Sequence, residues 1–171
     1  MVVSIAAALA ISGWMSRKEL EWLATRAAEA RVIVEIGCCR GRSTRALSDG
    51  TTGTVYAIDL WEDERNLRQF SSNLQEHVES GRTVLVRHDT ARGVPEAIRG
   101  LVADLLFIDG DHEYSAVKRD VVSFSPLVRP GGIISGHDYN TVPRHAGVRQ
   151  AVDEVLGARV QHCASIWWVT K

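Results

Sequence analysis

The chain has 171 residues, 45% hydrophobic and 24% charged, with a formal net charge of -1. That length suits one domain of ordinary size and is short for two, and the composition is globular, not disordered. The near-neutral balance lacks the basic excess that nucleic-acid binding draws on, so the expected partner is not nucleic acid.

Residues 1–11 are almost wholly apolar. No Lys or Arg precedes them and the run is too short to span a bilayer. It reads as a short helix packed on the domain or over its active site, in a cytoplasmic chain with no membrane partner. Ser16-Arg17-Lys18-Glu19 has the form of a capping box. Leu20, Leu23, Ala24 and Ala27 follow at helical spacing, which predicts a helix to about Ala30. Residues 1–30 are therefore an N-terminal helical segment, a candidate lid, on a single domain that takes up 1–171.

Val32–Ile36 is a short β-branched run, read as a buried strand. A loop over 37–41 follows, after which Ser43 is expected to cap a helix through Leu47. The alternation continues. Residues 54–58 read as a strand ending in Asp59, and Leu67, Phe70, Leu74 and Val78 fit one helix face. A strand over 83–86 precedes a short helix over 95–99. Ala103–Ile108 reads as a strand ending at Asp109, and Tyr114, Val117, Val121 and Phe124 fit another helix. Pro130-Gly131-Gly132 reads as a turn before a strand that starts at Ile133. Val148, Ala151, Val152 and Val155 make a last helix, and 160–162 with 166–169 a closing pair of strands. Such alternation predicts an α/β fold: a doubly wound, mostly parallel sheet with helices on both faces and a C-terminal antiparallel hairpin.

The three cysteines, Cys38, Cys39 and Cys163, are odd in number, two of them adjacent, with no C-x-x-C spacing. They read as free thiols in a reducing compartment. In the Trp167-Trp168 pair, alternation turns one ring inward; the other is left for an exposed face, which would permit a homo-oligomer contact.

In open α/β sheets, ligands bind beyond the carboxyl ends of the strands. The chemically loaded residues fall there: Glu35 and Gly37, Asp59, Asp89, Asp109 to His112, and His137-Asp138. Gly37 and Gly41 permit close backbone approach, and the following helix start can face an anionic group. The plain alternative is a tight strand-to-helix turn. Asp59, about 20 residues on, can accept ribose hydroxyls or merely cap a helix. The spacing E-x-G-x-x-x-G is not the dinucleotide G-x-G-x-x-G, and Gly-Lys-Ser/Thr is absent.

A second constellation pairs Asp109-Gly110-Asp111-His112 with His137-Asp138-Tyr139. Like charges sharing a pocket repel unless a cation neutralises them. Carboxylates with an imidazole suit a divalent cation, Mg2+ or Mn2+. Turn capping by Asp is the alternative.

Glu35-Ile-Gly-Cys-Cys-Arg-Gly41 resembles motif I of the class I S-adenosylmethionine-dependent methyltransferases, whose fold is Rossmann-like. Tyr56-Ala-Ile-Asp59 resembles their ribose-binding strand end, and 126–132 their turn before the fifth strand. Phe-Ile-Asp-Gly-Asp-His with Gly-His-Asp-Tyr resembles the small metal-dependent O-methyltransferases similar to those acting on macrolide sugars. The resemblance implies S-adenosylmethionine as cofactor, touched by Glu35, Gly37, Gly41, Asp59 and Asp109, and a small-molecule or sugar acceptor. It places Asp89 at the adenine amine, where turn capping is the other reading. Trp61 either stacks on adenine or packs the loop. The implied metal ligands are Asp109, His137 and Asp138. Asp111 is the implied base. His137 stands where such enzymes often carry a second acid, so it is either a ligand or the base. Trp14 is expected at the methionine end of the pocket or in the core, and His145 near the substrate or in solvent. The alternatives are a catechol-type phenol O-methyltransferase, a nicotinamide-dependent oxidoreductase, and a non-catalytic cofactor-binding module.

Overall fold

The computed structural model describes residues 3–139 and 145–171. Seven strands form one sheet: β1 (Val32–Ile36), β2 (Thr54–Asp59), β3 (Thr83–Arg87), β4 (Ala103–Ile108), β5 (Val128–Gly136), β6 (Gln161–Cys163) and β7 (Ile166–Thr170). Their order is β3-β2-β1-β4-β5-β7-β6. The first five run parallel, and β7 is antiparallel to both β5 and β6. This is the doubly wound sheet with a closing hairpin that the alternation predicts.

Strand alternation assigns the two faces. Val34, Ile36, Leu106 and Ile108 pack with residues of α6 (Tyr114–Phe124) and α7 (Ala146–Leu156). Ile33, Leu105 and Phe107 pack with α1 (Ala6–Ala10), α2 (Arg17–Ala27) and α3 (Arg42–Gly50). β1 and β4 are buried on both faces, which is why they read as near-continuous apolar runs. The register pairs Ile36 with Ile58 and Ile108, and Ile108 with Gly136. The carboxyl ends of β2, β1, β4 and β5 therefore lie in one row. The inward ring of the tryptophan pair is Trp167, fully buried; Trp168 rests against Trp22 with ring centroids 5.1 Å apart.

Four local expectations differ from the fold. The α2 helix carries its capping box at Ser16 and Glu19 but stops at Ala27, three residues early. Ser43 does not cap α3. Gly41 takes the N-cap in the left-handed region (φ 87°), where a side chain is disfavoured, and Ser43 is buried inside the first turn. The face of Leu67, Phe70, Leu74 and Val78 is split between α4 (Glu64–Asn73) and α5 (Gln75–Glu79). Leu74 is fully buried beside Gly41, and Arg45 Nη1 donates to the Asn73 carbonyl at 3.2 Å, occupying a carbonyl at the break. Pro130-Gly131-Gly132 is not a turn before β5 but a bulge within it. The pairing jumps from Ala103–Val128 to Leu105–Ile133, and the Gly131 amide donates to the Lys171 carbonyl.

Arg45 bonds Asp49 (2.8 Å) and Glu76 (2.5 Å), and His77 Nε2 lies 2.8 Å from Asp49. Asp49, Glu76 and His77 could gather round a metal, but the Arg45 guanidinium already supplies the positive charge, so the cluster reads as a tie between α3 and α5. Among the described residues no helix is long and apolar enough to cross a membrane.

Candidate active site

A cleft of about 1030 Å3 opens at the row of strand ends. Its lining includes Gly37 to Arg40, Asp59, Asp89, the 109–112 run, His137, Asp138 and His145, with Ser12 to Met15 along one side. Both halves of the sequence reading thus meet in one space.

The loop after β1 is shaped by backbone geometry. Gly37 has φ 82°, and a Cβ there would stand 2.1 Å from the Asp109 carbonyl oxygen. Only glycine lets β1 and β4 approach so closely. Asp59 Oδ2 accepts from the amides of Cys38 and Cys39, 2.8 Å each, while Oδ1 accepts from Trp61 N at 2.7 Å. One carboxylate at the end of β2 thereby fixes the loop after β1. α3 starts at Gly41 without a side-chain cap, so its first amides are open to an anionic group.

Several expected contacts are placed beneath the loop instead of in the cleft. Glu35 is fully buried, and burial pushes its carboxyl up to about 7, against the hydroxyls of Ser43 and Thr44. It supports the loop from below. Trp61 is 2% exposed, donates Nε1–H to the Cys39 carbonyl at 2.8 Å and meets Phe70 edge-on; the structure gives it the loop-packing place and not a stacking surface. Burial raises the Cys38 thiol well above its ordinary value, which makes it a packing group and not a nucleophile. Asp89 caps a short 3-10 turn (Thr90–Arg92), its Oδ1 accepting from Ala91 N at 2.9 Å, and the residue lines the cleft.

Opposite the loop, the ends of β4 and β5 bring the second constellation together. Asp138, itself in the left-handed region (φ 63°), is the hub. His112 Nε2 lies 2.7 Å from its Oδ2, His145 Nδ1 lies 3.1 Å from its Oδ1, and His137 Nδ1 lies 3.4 Å from Oδ2. The His112 and His145 rings stack at 4.2 Å. His137 Nδ1 is also 3.6 Å from Asp109 Oδ1, and its Nε2 is 3.2 Å from Glu19 Oε1.

The charges follow from this packing. Burial alone would lower the His137 pKa, but Asp109, Asp138 and Glu19 around it push it up to about 12. Burial opposes ionisation of Asp138 too, yet His112 and His137 hold its carboxyl far below the usual range. Burial raises Asp109. The Asp138 contact raises His112. Asp111 is exposed, and its Oδ1 accepts from Glu113 N at 2.9 Å.

One ligand atom from each of Asp109, His137 and Asp138 lies within 4.8 Å of the other two. Two carboxylates and one imidazole fit a divalent cation in chemistry and spacing. His112, Asp138 and His145 form a second such group.

Two participants had no role in the sequence reading. Glu19 is fully accounted for by its capping box, so its place beside His137 had no local signal. His112 belonged to the acid cluster by position only. Trp14 is 87% exposed at the cleft rim, neither core nor enclosed wall. The segment beside it is held by Arg42, whose guanidinium donates to the carbonyls of Leu9, Ile11 and Met15.

A family model described as a methyltransferase domain matches residues 34–139. An uncharacterised protein of Sinorhizobium fredii is 25% identical over 158 residues; the match takes in 86% of this chain but only 17% of that protein's length. Among solved structures, the Bacillus cereus O-methyltransferase in complex with SAH superposes with a TM-score of 0.73 at 22% identity, covering 98% of this chain and 87% of that one. CalS11, a TDP-rhamnose 3'-O-methyltransferase of calicheamicin biosynthesis, gives 0.72 at 17%, covering 89% and 76%. The O-methyltransferase TomG of Streptomyces achromogenes in complex with SAM gives 0.70 at 16%, covering 92% and 82%. These likenesses show that the sheet has the Rossmann-like methyltransferase fold.

Proposed function

The chain belongs to this methyltransferase-domain family, whose model covers more than half of it, and on that premise we propose an S-adenosylmethionine-dependent O-methyltransferase acting on a hydroxyl of a small molecule or sugar. One observation carries the reading: a single cleft joins the glycine loop after β1 to the His112–Asp138–His137–Asp109 group at the ends of β4 and β5. The names of the superposed O-methyltransferases support the choice of oxygen as acceptor.

In this reading the cofactor lies along the loop. The first amides of α3 face its carboxylate. Asp59 is pinned by three amides and turns its remaining acceptor capacity to the ribose. Asp89 keeps one oxygen for the adenine amine. Glu35 and Trp61 act from underneath, by holding the loop in shape.

The reaction is a displacement. The acceptor oxygen attacks the sulfonium methyl, the sulfur–methyl bond breaks with its electrons passing to sulfur, and the hydroxyl proton goes to a base. His137 is held between Asp109 and Asp138 on its Nδ1 edge and Glu19 on its Nε2 edge, so neither ring nitrogen is free to take the proton of a substrate hydroxyl. His112 is half-exposed on the cleft and is oriented by Asp138, a geometry suited to general-base work. Asp111 is the neighbouring second candidate, as the resemblance implies. A cation held by Asp109, His137 and Asp138 would stabilise the acceptor oxygen as its proton leaves. Holding donor and acceptor in line supplies much of the rate.

The test is incubation of the purified chain with methyl-labelled S-adenosylmethionine and a panel of sugar nucleotides, free sugars and catechols, with and without a chelator. Label on an oxygen of one acceptor is expected, with loss on chelation. Tight S-adenosylhomocysteine binding with no transfer to any hydroxyl would favour a cofactor-binding module. Transfer to nitrogen or carbon instead would overturn the O-methyl assignment.

A further inference from the structure

Glu19 makes two sets of contacts, and a helix cap calls for only the first. Its Oε2 closes the capping box, accepting from the Ser16 amide and hydroxyl at 2.7 Å each. The residue is only 5% exposed. Its other oxygen, Oε1, accepts from the Ser165 amide at 3.1 Å, in the turn between β6 and β7, and stands 3.2 Å from His137 Nε2, a buried nitrogen that it meets as an ion pair and not as an aligned hydrogen bond. The imidazole is thus set between one carboxylate on its Nε2 edge and two, Asp109 and Asp138, on its Nδ1 edge at 3.6 and 3.4 Å.

A neutral imidazole carries one N–H and one lone pair, and its surroundings decide which nitrogen has which. A carboxylate on the far nitrogen is the usual device for turning the near one toward a metal. We propose that Glu19 is a positioning residue of the acceptor centre: it keeps the His137 proton on Nε2 and so presents the Nδ1 lone pair to a divalent cation shared with Asp109 and Asp138. This rests on the metal-assisted reading above. It gives α2 a part in the chemistry through a residue 118 positions before its partner.

Glu19→Gln separates this role from capping, because Gln also serves at the third position of a capping box. Ser16→Ala is the complementary control: it removes the cap hydroxyl and leaves His137 untouched. Mn2+ alone is titrated by electron paramagnetic resonance into wild type and both variants, and S-adenosylhomocysteine by calorimetry. The expected result is Mn2+ affinity about 10- to 100-fold weaker in Glu19→Gln, Ser16→Ala matching wild type, and S-adenosylhomocysteine affinity equal in all three. Equal Mn2+ affinity in Glu19→Gln and wild type overturns the role of Glu19 and leaves the metal reading standing. No Mn2+ binding by wild type overturns the metal reading and this inference with it. Should Glu19→Gln not fold, long-range 1H–15N NMR on Zn2+-loaded wild type decides the matter. A His137 ring protonated at Nε2 and metal-bound at Nδ1 supports the proposal, and the reverse overturns it.

Discussion

In the cleft the imidazole of His112 and the carboxylate of Asp138 stand 2.7 Å apart, Nε2 to Oδ2. That contact raises the His112 pKa above the ordinary imidazole value of 6.5. A base must be deprotonated to accept the hydroxyl proton, so kcat/KM should climb with pH through a limb displaced above that value. His112→Gln should lose about 10²- to 10⁴-fold in turnover and abolish the limb, with S-adenosylhomocysteine affinity unchanged. A pH–rate profile of the two proteins checks this. An unaltered limb in the variant would move the base to another residue.

Asp111 presents a cleaner choice. Its Oδ1 accepts the Glu113 amide, a contact that Asn can also make. If the carboxylate takes part in proton removal, Asp111→Asn keeps cofactor binding and fold but loses turnover. Methyl transfer near the wild-type rate would reduce Asp111 to a turn cap.

Gly37→Ala is expected to cost far more than Gly81→Ala, although both glycines have positive φ (82° and 74°). At Gly81 an added Cβ meets nothing within 4 Å, leaving only the left-handed strain of about 1–2 kcal/mol. At Gly37 the Cβ would also strike the Asp109 carbonyl at 2.1 Å. Urea unfolding of both variants, with S-adenosylhomocysteine calorimetry, tests the contrast; Gly37→Ala alone should lose cofactor binding.

Glu35 should make stability fall as pH rises. Burial lifts its carboxyl from 4.5 to about 7 in the folded chain. Its contribution is therefore complete below pH 4.5 and is lost as pH passes through about 7, where the unfolded chain releases the proton more readily. The loss amounts to at most about 3 kcal/mol. Glu35→Gln should flatten the stability curve across that window, as read by urea unfolding from pH 4.5 to 8.5. A curve of unchanged slope would mean that the buried carboxyl is not the titrating group.

The strands were legible because their burial is two-sided. β1 and β4 begin and end at the predicted residues, since runs such as Val32–Ile36 have no competing pattern. The row of loaded strand ends was equally readable, because parallel topology alone brings them together. Errors arose where the deciding partner is remote. Nothing near Ser43 says that Gly41 takes the cap, and nothing near Pro130 says that Lys171 will bond Gly131 within a bulge. Glu19 is the extreme case: its local signature is fully satisfied by the capping box, which hides the histidine that the fold brings to it from far along the chain.

The approach of Gly37 to the Asp109 carbonyl has a consequence for how such a cleft can diversify. The walls that face donor and acceptor in the proposed reaction are joined there by main chain against main chain. The span between them is then a property of the scaffold and not of any side chain. A residue on the rim, such as Trp14, can be exchanged to suit a new acceptor without retuning that span, whereas no exchange at position 37 is neutral.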